Sequence, residues 1–328
     1  MERNGYIDFV KGIAILLVLA GHSIQYCYGA EFFLQGEFYG NPLFRFIYSF
    51  HMPLFMAVSG YLLARSLTHR TEGEVALRRL RQLGVPILSF GILAFLIKWM
   101  VSPIYNVGEC AKMLFDTCIS NLWFLWALLY NLLLLLLIRR MDDNIWIYIV
   151  VGMTLYLIPD CNYLPARYTF LYPFLVVGYS KGKNPSNRIH KTRGKVAVIV
   201  SMGLLYILGL YANRTLFSDI WNCNMVGNVL HIMMRQLIAL FALGWIIPLL
   251  HELYQNFIKN KIVLVIMYAG RNSLVIYYFQ TLVFILVSRI CHLLPSLGMR
   301  GAFIGYVVIT AECLLLAKWY VRHKISFY

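Results

Sequence analysis

Three ionisable side chains interrupt the first long apolar stretch of this chain, Tyr6 to Tyr28: Asp8, Lys11 and His22. A charge well inside a bilayer costs several kcal/mol, roughly 2.5–3.5 on insertion scales, so residues of this kind at membrane depth are read first as functional. Lys11 and His22 are eleven residues apart. On a helix that is three turns, which places both on nearly the same face about 16 Å apart. A cation near one surface is then aligned with an imidazole in the other half of the membrane. The arrangement suits an elongated ligand with a charged head and a reactive tail, and a neutral imidazole is a natural general base. Gly21 leaves room beside it. A second histidine, His51, falls near the outer end of the next apolar segment and is the other catalytic candidate; its plainer reading is a cap on that helix end.

The charged residues also have structural readings. Asp8 and Lys11 are i, i+3 neighbours and can form a local ion pair, and lysine can snorkel to the surface. Arg78, Arg79 and Arg81 lie within four residues in an inner loop, where they either anchor topology or bind phosphates bidentately. Gly-Arg-Asn-Ser at 270–273 reads as the opening of a helix, whose free N–H groups together with Arg271 would favour an anion. Arg235 and Glu312 fall at similar depth and are expected to pair, and Lys98 lies in the outer third of its span.

The elements that must position these groups are apolar helices. The chain is 60% hydrophobic and 13% charged, with a mean hydropathy of +0.68, far from a soluble domain. Runs of transmembrane length cover Tyr6–Tyr28, Leu43–Ala64, Gly84–Ile104, Ser120–Ile138, Lys195–Ala212, Val226–Leu250, Ser273–Ile290 and Gly301–Tyr320. Ile145–Ile158 and Tyr168–Ser180 are shorter. The expectation is an all-α polytopic membrane protein of about ten helices, a single transmembrane domain over 1–328 with no soluble domain appended.

The net charge of +15 does not point to nucleic acid, because its distribution is topological. With the N-terminus inside, twenty Lys and Arg fall on inner segments and six on outer ones. That bias puts both termini in the cytoplasm. Asp8 and Lys11 break the start of the first apolar run, so it reads as a retained helix and not a cleaved signal. The seven cysteines contain no C-x-x-C pair, and no metal site is expected. Six of them fall near the outer face, where a disulfide is one option and small buried side chains the other.

Tyr-Ile-Asp-Phe-Val-Lys-Gly-Ile-Ala-Ile-Leu-Leu-Val-Leu-Ala-Gly-His (6–22) resembles the opening motif of the acyltransferase type 3 family, integral membrane proteins that O-acylate extracytoplasmic carbohydrates. Phe-His-Met-Pro-Leu-Phe-Met-Ala-Val-Ser-Gly-Tyr-Leu (50–62), Asn-Leu-Trp-Phe-Leu (121–125) and Gly-Arg-Asn-Ser-Leu-Val-Ile-Tyr (270–277) fit in order, the second most similar to the fucose O-acetylase-like branch. The family's basic-residue-to-histidine motif falls on Lys11 and His22, with lysine where arginine is commoner. Members often carry a histidine near Gln280, and some append an SGNH hydrolase-like domain that is not found here.

The resemblance implies transfer of an acyl group, acetyl first of all, from cytosolic acyl-coenzyme A to a hydroxyl of a polysaccharide or lipid-linked glycan in the cell envelope. The enzyme would be a multi-pass protein of the inner (plasma) membrane. Donor phosphates would meet Lys11, Arg78, Arg79, Arg81 and Arg271, with Trp123 lining the channel or sitting in an interfacial aromatic belt. His22 would take the hydroxyl proton. A covalent acyl-enzyme on His22 or Ser23 is the alternative chemistry, and a transporter or lipid-linked sugar flippase the alternative class.

Overall fold

The computed structural model describes residues 4–27, 36–101, 103, 106–120, 122–157, 166–183, 193–212, 225–290 and 297–323, and among them there is no strand. The helices are α1 (Gly5–Tyr26), α2 (Pro42–Leu67), α3 (Glu72–Arg79), α4 (Val85–Val101), α5 (Val107–Ser120), α6 (Trp123–Met141), α7 (Ile145–Thr154), α8 (Ala166–Lys183), α9 (Arg193–Ala212), α10 (Met225–Phe257), α11 (Lys261–Arg271), α12 (Ser273–Ile290) and α13 (Met299–Arg322). Six helical stretches among the described residues are long and apolar enough to cross a membrane. A seventh results if the bent pair Lys261–Arg271 and Ser273–Phe284 is one span. Ile145–Thr154 and Val196–Ala212 are shorter apolar helices.

The exposed faces fit lipid. On α4, Leu88, Ile92 and Leu96 recur at i, i+4, i+8, and each is more than 40% exposed. Such a stripe would be a liability in water and is what acyl chains require.

The segment expected as an inner loop, Arg65–Leu83, is helical over most of its length. The chain leaves α2 at Leu67, restarts at Glu72, widens to π geometry over Leu80–Gly84 and continues into α4. Arg78, Arg79 and Arg81 therefore ride on a helix that runs unbroken into a membrane span.

The chain divides into two compact units, each assembled from three stretches. The first comprises 1–14, 39–72 and 130–271. Its most extensive contact joins α2 to α8 through glycines. A Cβ on Gly60 would lie 2.1 Å from the Leu175 carbonyl oxygen, and one on Gly178 would lie 1.9 Å from that of Ala57. No other residue permits that approach, the means by which helices associate without a hydrophobic drive. The start of α1 meets α11 in the same way, Gly12 against the Ile266 carbonyl at 1.9 Å and Gly270 against the Asp8 carbonyl at 1.7 Å.

The second unit comprises 15–38, 73–129 and 272–328, and α12 is its hub. Four consecutive residues of α12, about 100° apart, point in four directions around the helix. Tyr277 tilts against Phe124 of α6 (ring centroids 6.2 Å apart), and Tyr278 stacks on Phe90 of α4 (4.5 Å). Phe279 meets Tyr320 of α13 (6.2 Å), and Gln280 reaches His22 of α1.

Candidate functional site

His22 sits in the last turn and a half of α1, half-buried. Its Nδ1 lies 2.8 Å from the Gln280 Oε1, its one hydrogen bond among the described residues. Gln280 is fully buried. Phe284, one turn further along α12, meets the imidazole edge-on with centroids 5.6 Å apart and an interplanar angle of 88°. Tyr26 stacks on Phe284 at 5.4 Å and touches the imidazole at 5.9 Å. Two aromatic rings and one amide thus hold the ring plane. Because an amide oxygen can only accept, Nδ1 carries the proton in this arrangement, leaving the lone pair on Nε2. A bare Nε2 on a half-buried ring is the equipment of a general base.

Ser23, the alternative acyl acceptor, is buried, and its hydroxyl donates to the Leu19 carbonyl at 2.8 Å. This is the ordinary back-bond of a helical serine to residue i−4.

His51 does not cap a helix end. Asn41 caps α2, its side chain accepting from the Leu43 and Phe44 amides, so His51 lies two and a half turns inside the helix. It is 0% exposed, and its Nδ1 is 2.7 Å from the Ile47 carbonyl, to which it donates. His51 belongs to the first unit and His22 to the second.

Arg78 and Arg81 are exposed, whereas Arg79 is half-buried and donates from Nη1 to Gln82 Oε1 at 3.2 Å. The π turn that carries Arg81 is a form often found at functional positions. Trp123 opens α6, half-buried and edge-on to Phe124 at 6.1 Å. Also in the second unit, Lys98 donates to the Thr117 hydroxyl of α5 at 3.3 Å.

The anion site expected at 270–273 takes another form. Gly270 and Arg271 close α11, and the next helix opens only at Ser273. Gly270 is there to let α11 touch α1, and that approach brings the Arg271 Nε to 3.2 Å from Asp8 Oδ2. Asp8 is 7% and Arg271 48% exposed. Asp8 thus has a partner from the far end of the sequence as well as any neighbour on its own helix. Lys11 is half-buried on α1. Arg235 is buried in α10, its guanidinium carbon 5.1 Å from the Phe170 ring centroid, while Glu312 is exposed on α13; the two fall in different units.

One cluster was not foreseen. In the first unit, Asp143 accepts from Tyr148 (2.9 Å), from Tyr179 (3.0 and 3.1 Å) and from Lys183 (2.8 Å). Arg139 approaches the same carboxylate at 3.5 Å and pairs with Glu72. Burial works against the Asp143 charge, but Lys183, Tyr148 and Tyr179 outweigh it and hold the carboxyl below its ordinary range.

Cys27, Cys110, Cys118 and Cys313 are free thiols, and Cys161, Cys223 and Cys291 lie outside the described residues. No group of three or more His, Cys, Asp or Glu suited to a metal occurs among the described residues.

A family model described as an acyltransferase domain, that of acyltransferase 3, matches residues 4–318. Two proteins named nodulation protein NolL, from Mesorhizobium japonicum and Sinorhizobium fredii, are each 31% identical to the chain over 182 residues. The alignment takes in 54% of this chain and 48% of each relative, so the chain spans about half the length of the curated relatives it matches. No solved structure matches it.

Proposed function

The chain belongs to the acyltransferase 3 family, and we propose that it moves an acyl group, acetyl first of all, from cytosolic acyl-coenzyme A to a hydroxyl of an extracytoplasmic or lipid-linked carbohydrate. The observation that carries this reading is the geometry of His22, an imidazole at membrane depth whose Nδ1 is engaged and whose Nε2 is left with a lone pair. Nε2 takes the proton of the acceptor hydroxyl as its oxygen attacks the thioester carbonyl. The C–S bond breaks, and the coenzyme A thiolate leaves with the proton that His22 returns. The products are the O-acyl ester and the free thiol. A well-placed base contributes typically 10²–10⁴-fold.

Arg78, Arg79 and Arg81 are proposed to hold the donor's phosphates, and Trp123 to line its path. The exposure of Arg78 and Arg81, before the apolar part of their helix, supports a role at the aqueous surface. Lys11 is proposed as a further phosphate contact. Arg271 is better read as the partner of Asp8, and His51 is given no step because it is wholly buried within α2. The excess of Lys and Arg on the inner segments supports an inner (plasma) membrane protein with both termini cytoplasmic, as any even number of crossings allows.

The test uses the whole protein in lipid nanodiscs. Coenzyme A is expected to raise its melting temperature. His22→Ala should keep that response, yet mass spectrometry of the glycans from cells expressing it should show acylation reduced to background. Transfer above a tenth of the wild-type level would remove His22 as the base. Absence of any response to coenzyme A would turn the reading toward transport.

A further inference from the structure

We infer that Gln280 is the positioning residue that sets the tautomer of His22, through a one-way chain of hydrogen bonds running down α12. The inference rests on His22 being the base. Its physical content lies in which end of the Gln280 amide faces the imidazole, because oxygen there demands Nδ1–H and nitrogen there demands a bare Nδ1.

Thr281 decides between them. Its hydroxyl donates to the Tyr277 carbonyl, 3.0 Å away and one turn back along the helix. A hydroxyl has one proton, so once it is committed to Tyr277 the Thr281 oxygen can only accept. The end of the Gln280 amide that faces it, 3.5 Å away, must therefore be the NH₂ group. The opposite end, 2.8 Å from His22, is then the oxygen. Reversing the amide would set two acceptor oxygens against each other at Thr281. The chain thus runs from His22 Nδ1–H to Gln280, from Gln280 to Thr281, and from Thr281 to the Tyr277 carbonyl, each donor used once.

Packing keeps the amide from turning. Gln280 is 0% exposed, and its neighbours Tyr277, Tyr278 and Phe279 each abut a different helix, so α12 cannot rotate to relieve a mismatch. Phe284 and Tyr26 prevent the imidazole from flipping to offer Nε2 to the amide instead. A neutral amide orients the ring without adding charge at membrane depth, where charge is expensive. The structure thereby assigns two functions to one α12 face: Gln280 chooses the nitrogen that reacts, and Phe284 chooses the plane in which it is presented.

The experiment is a solid-state NMR measurement on the full chain in lipid, uniformly labelled with ¹⁵N-histidine, with His22 identified by the signal missing from His22→Ala. A protonated Nδ1 and a bare Nε2 at His22 are expected. The opposite tautomer would overturn the inference without any kinetic assay and would leave His22 as the base untouched. Gln280→Leu should mix the tautomers and lower kcat by roughly ten- to a hundredfold, in line with the loss of an orienting partner, with KM for acyl-coenzyme A unchanged. Gln280→Glu, which keeps an acceptor toward Nδ1–H, should return most of that loss. Should Gln280→Leu keep the wild-type tautomer and kcat while His22→Ala is inactive, Gln280 is a packing residue. If His22→Ala is itself active, it is the reading of the base that fails.

Discussion

The two polar clusters of this protein, one in each unit, are built on opposite principles. Around Asp143 four side chains converge on one carboxylate, two cations and two hydroxyls. Around His22 there is no charge among the hydrogen-bonded groups, one donor meets one acceptor at each step, and the ring keeps a lone pair. The first cluster stands at the ends of α6 and α8 and the start of α7, where it ties helix ends together. The second lies within α1 and α12. Under the role proposed for His22, the difference separates a polar group that holds a fold from one that does work. The former has every partner it can take, and the latter is oriented through one atom so that another stays available.

Substitutions can break that contrast or sharpen it. The largest effect on stability is expected from packing, since a Cβ at Gly178 has backbone in its way. Gly178→Ala should cost about 3 kcal/mol, the upper end for overpacking, read as loss of folded protein in detergent-based thermal denaturation; a stable variant would show that α2 and α8 have slack. Asp143→Ala comes next, at about 1–3 kcal/mol for leaving its donors unsatisfied. Transfer per folded molecule should be unchanged, and a loss of turnover without a loss of stability would erase the distinction between the clusters. The arginines should behave in the reverse way. Arg78→Gln/Arg81→Gln is expected to leave the melting temperature unchanged, as exposed substitutions do within about 0.5 kcal/mol. It should weaken acyl-coenzyme A binding about tenfold, or roughly 1.4 kcal/mol, by calorimetry at low salt. Unchanged affinity would make them topological anchors.

Acid offers a graded test of the charged cluster alone. Because the Asp143 carboxyl is held below its ordinary value of 3.8, its contribution is complete above that value. It is then lost as pH falls through the lower folded-state value. Acid unfolding curves of wild type and Asp143→Ala should therefore converge at low pH and separate above about 4, and parallel curves would refute the linkage. The smallest effect belongs to Lys98→Met, which removes one long hydrogen bond to Thr117 and should change stability by less than about 1 kcal/mol.

What could be read from the chain alone divides along the same line. The membrane helices were legible because an apolar run leaves few alternatives, and His22 because a titratable group inside one is conspicuous. Gln280 was not, since a neutral amide in a helix carries no such signal and its partner lies 258 residues away. The family resemblance implies a histidine near that position, and the glutamine there supplies the contact to His22. Gly270 was read as the opening of a helix because glycine also marks turns; only the approach of Asp8 to it shows that it allows contact. Arg78, Arg79 and Arg81 show no apolar period because they lie outside the apolar part of the span, yet the helix passes straight through them. Asp143 lies beside Asp142 between two apolar runs, and nothing local singles it out.

The π turn at Leu80–Gly84 gives that helix an unusual property. Relative to an α-helix it carries one surplus residue, and each residue of an α-helix turns the chain by about 100°. The surplus acts as an angular offset between the amphipathic segment before it and the span after it. It decides the compass bearing from which Arg78 and Arg79 look onto the rest of their unit without altering either side chain. Deleting one residue from the turn would leave all three arginines the chance to remain, and would still swing the pair before it through more than a quarter of a revolution. In this stretch the length of the chain is itself a coordinate of the surface it presents.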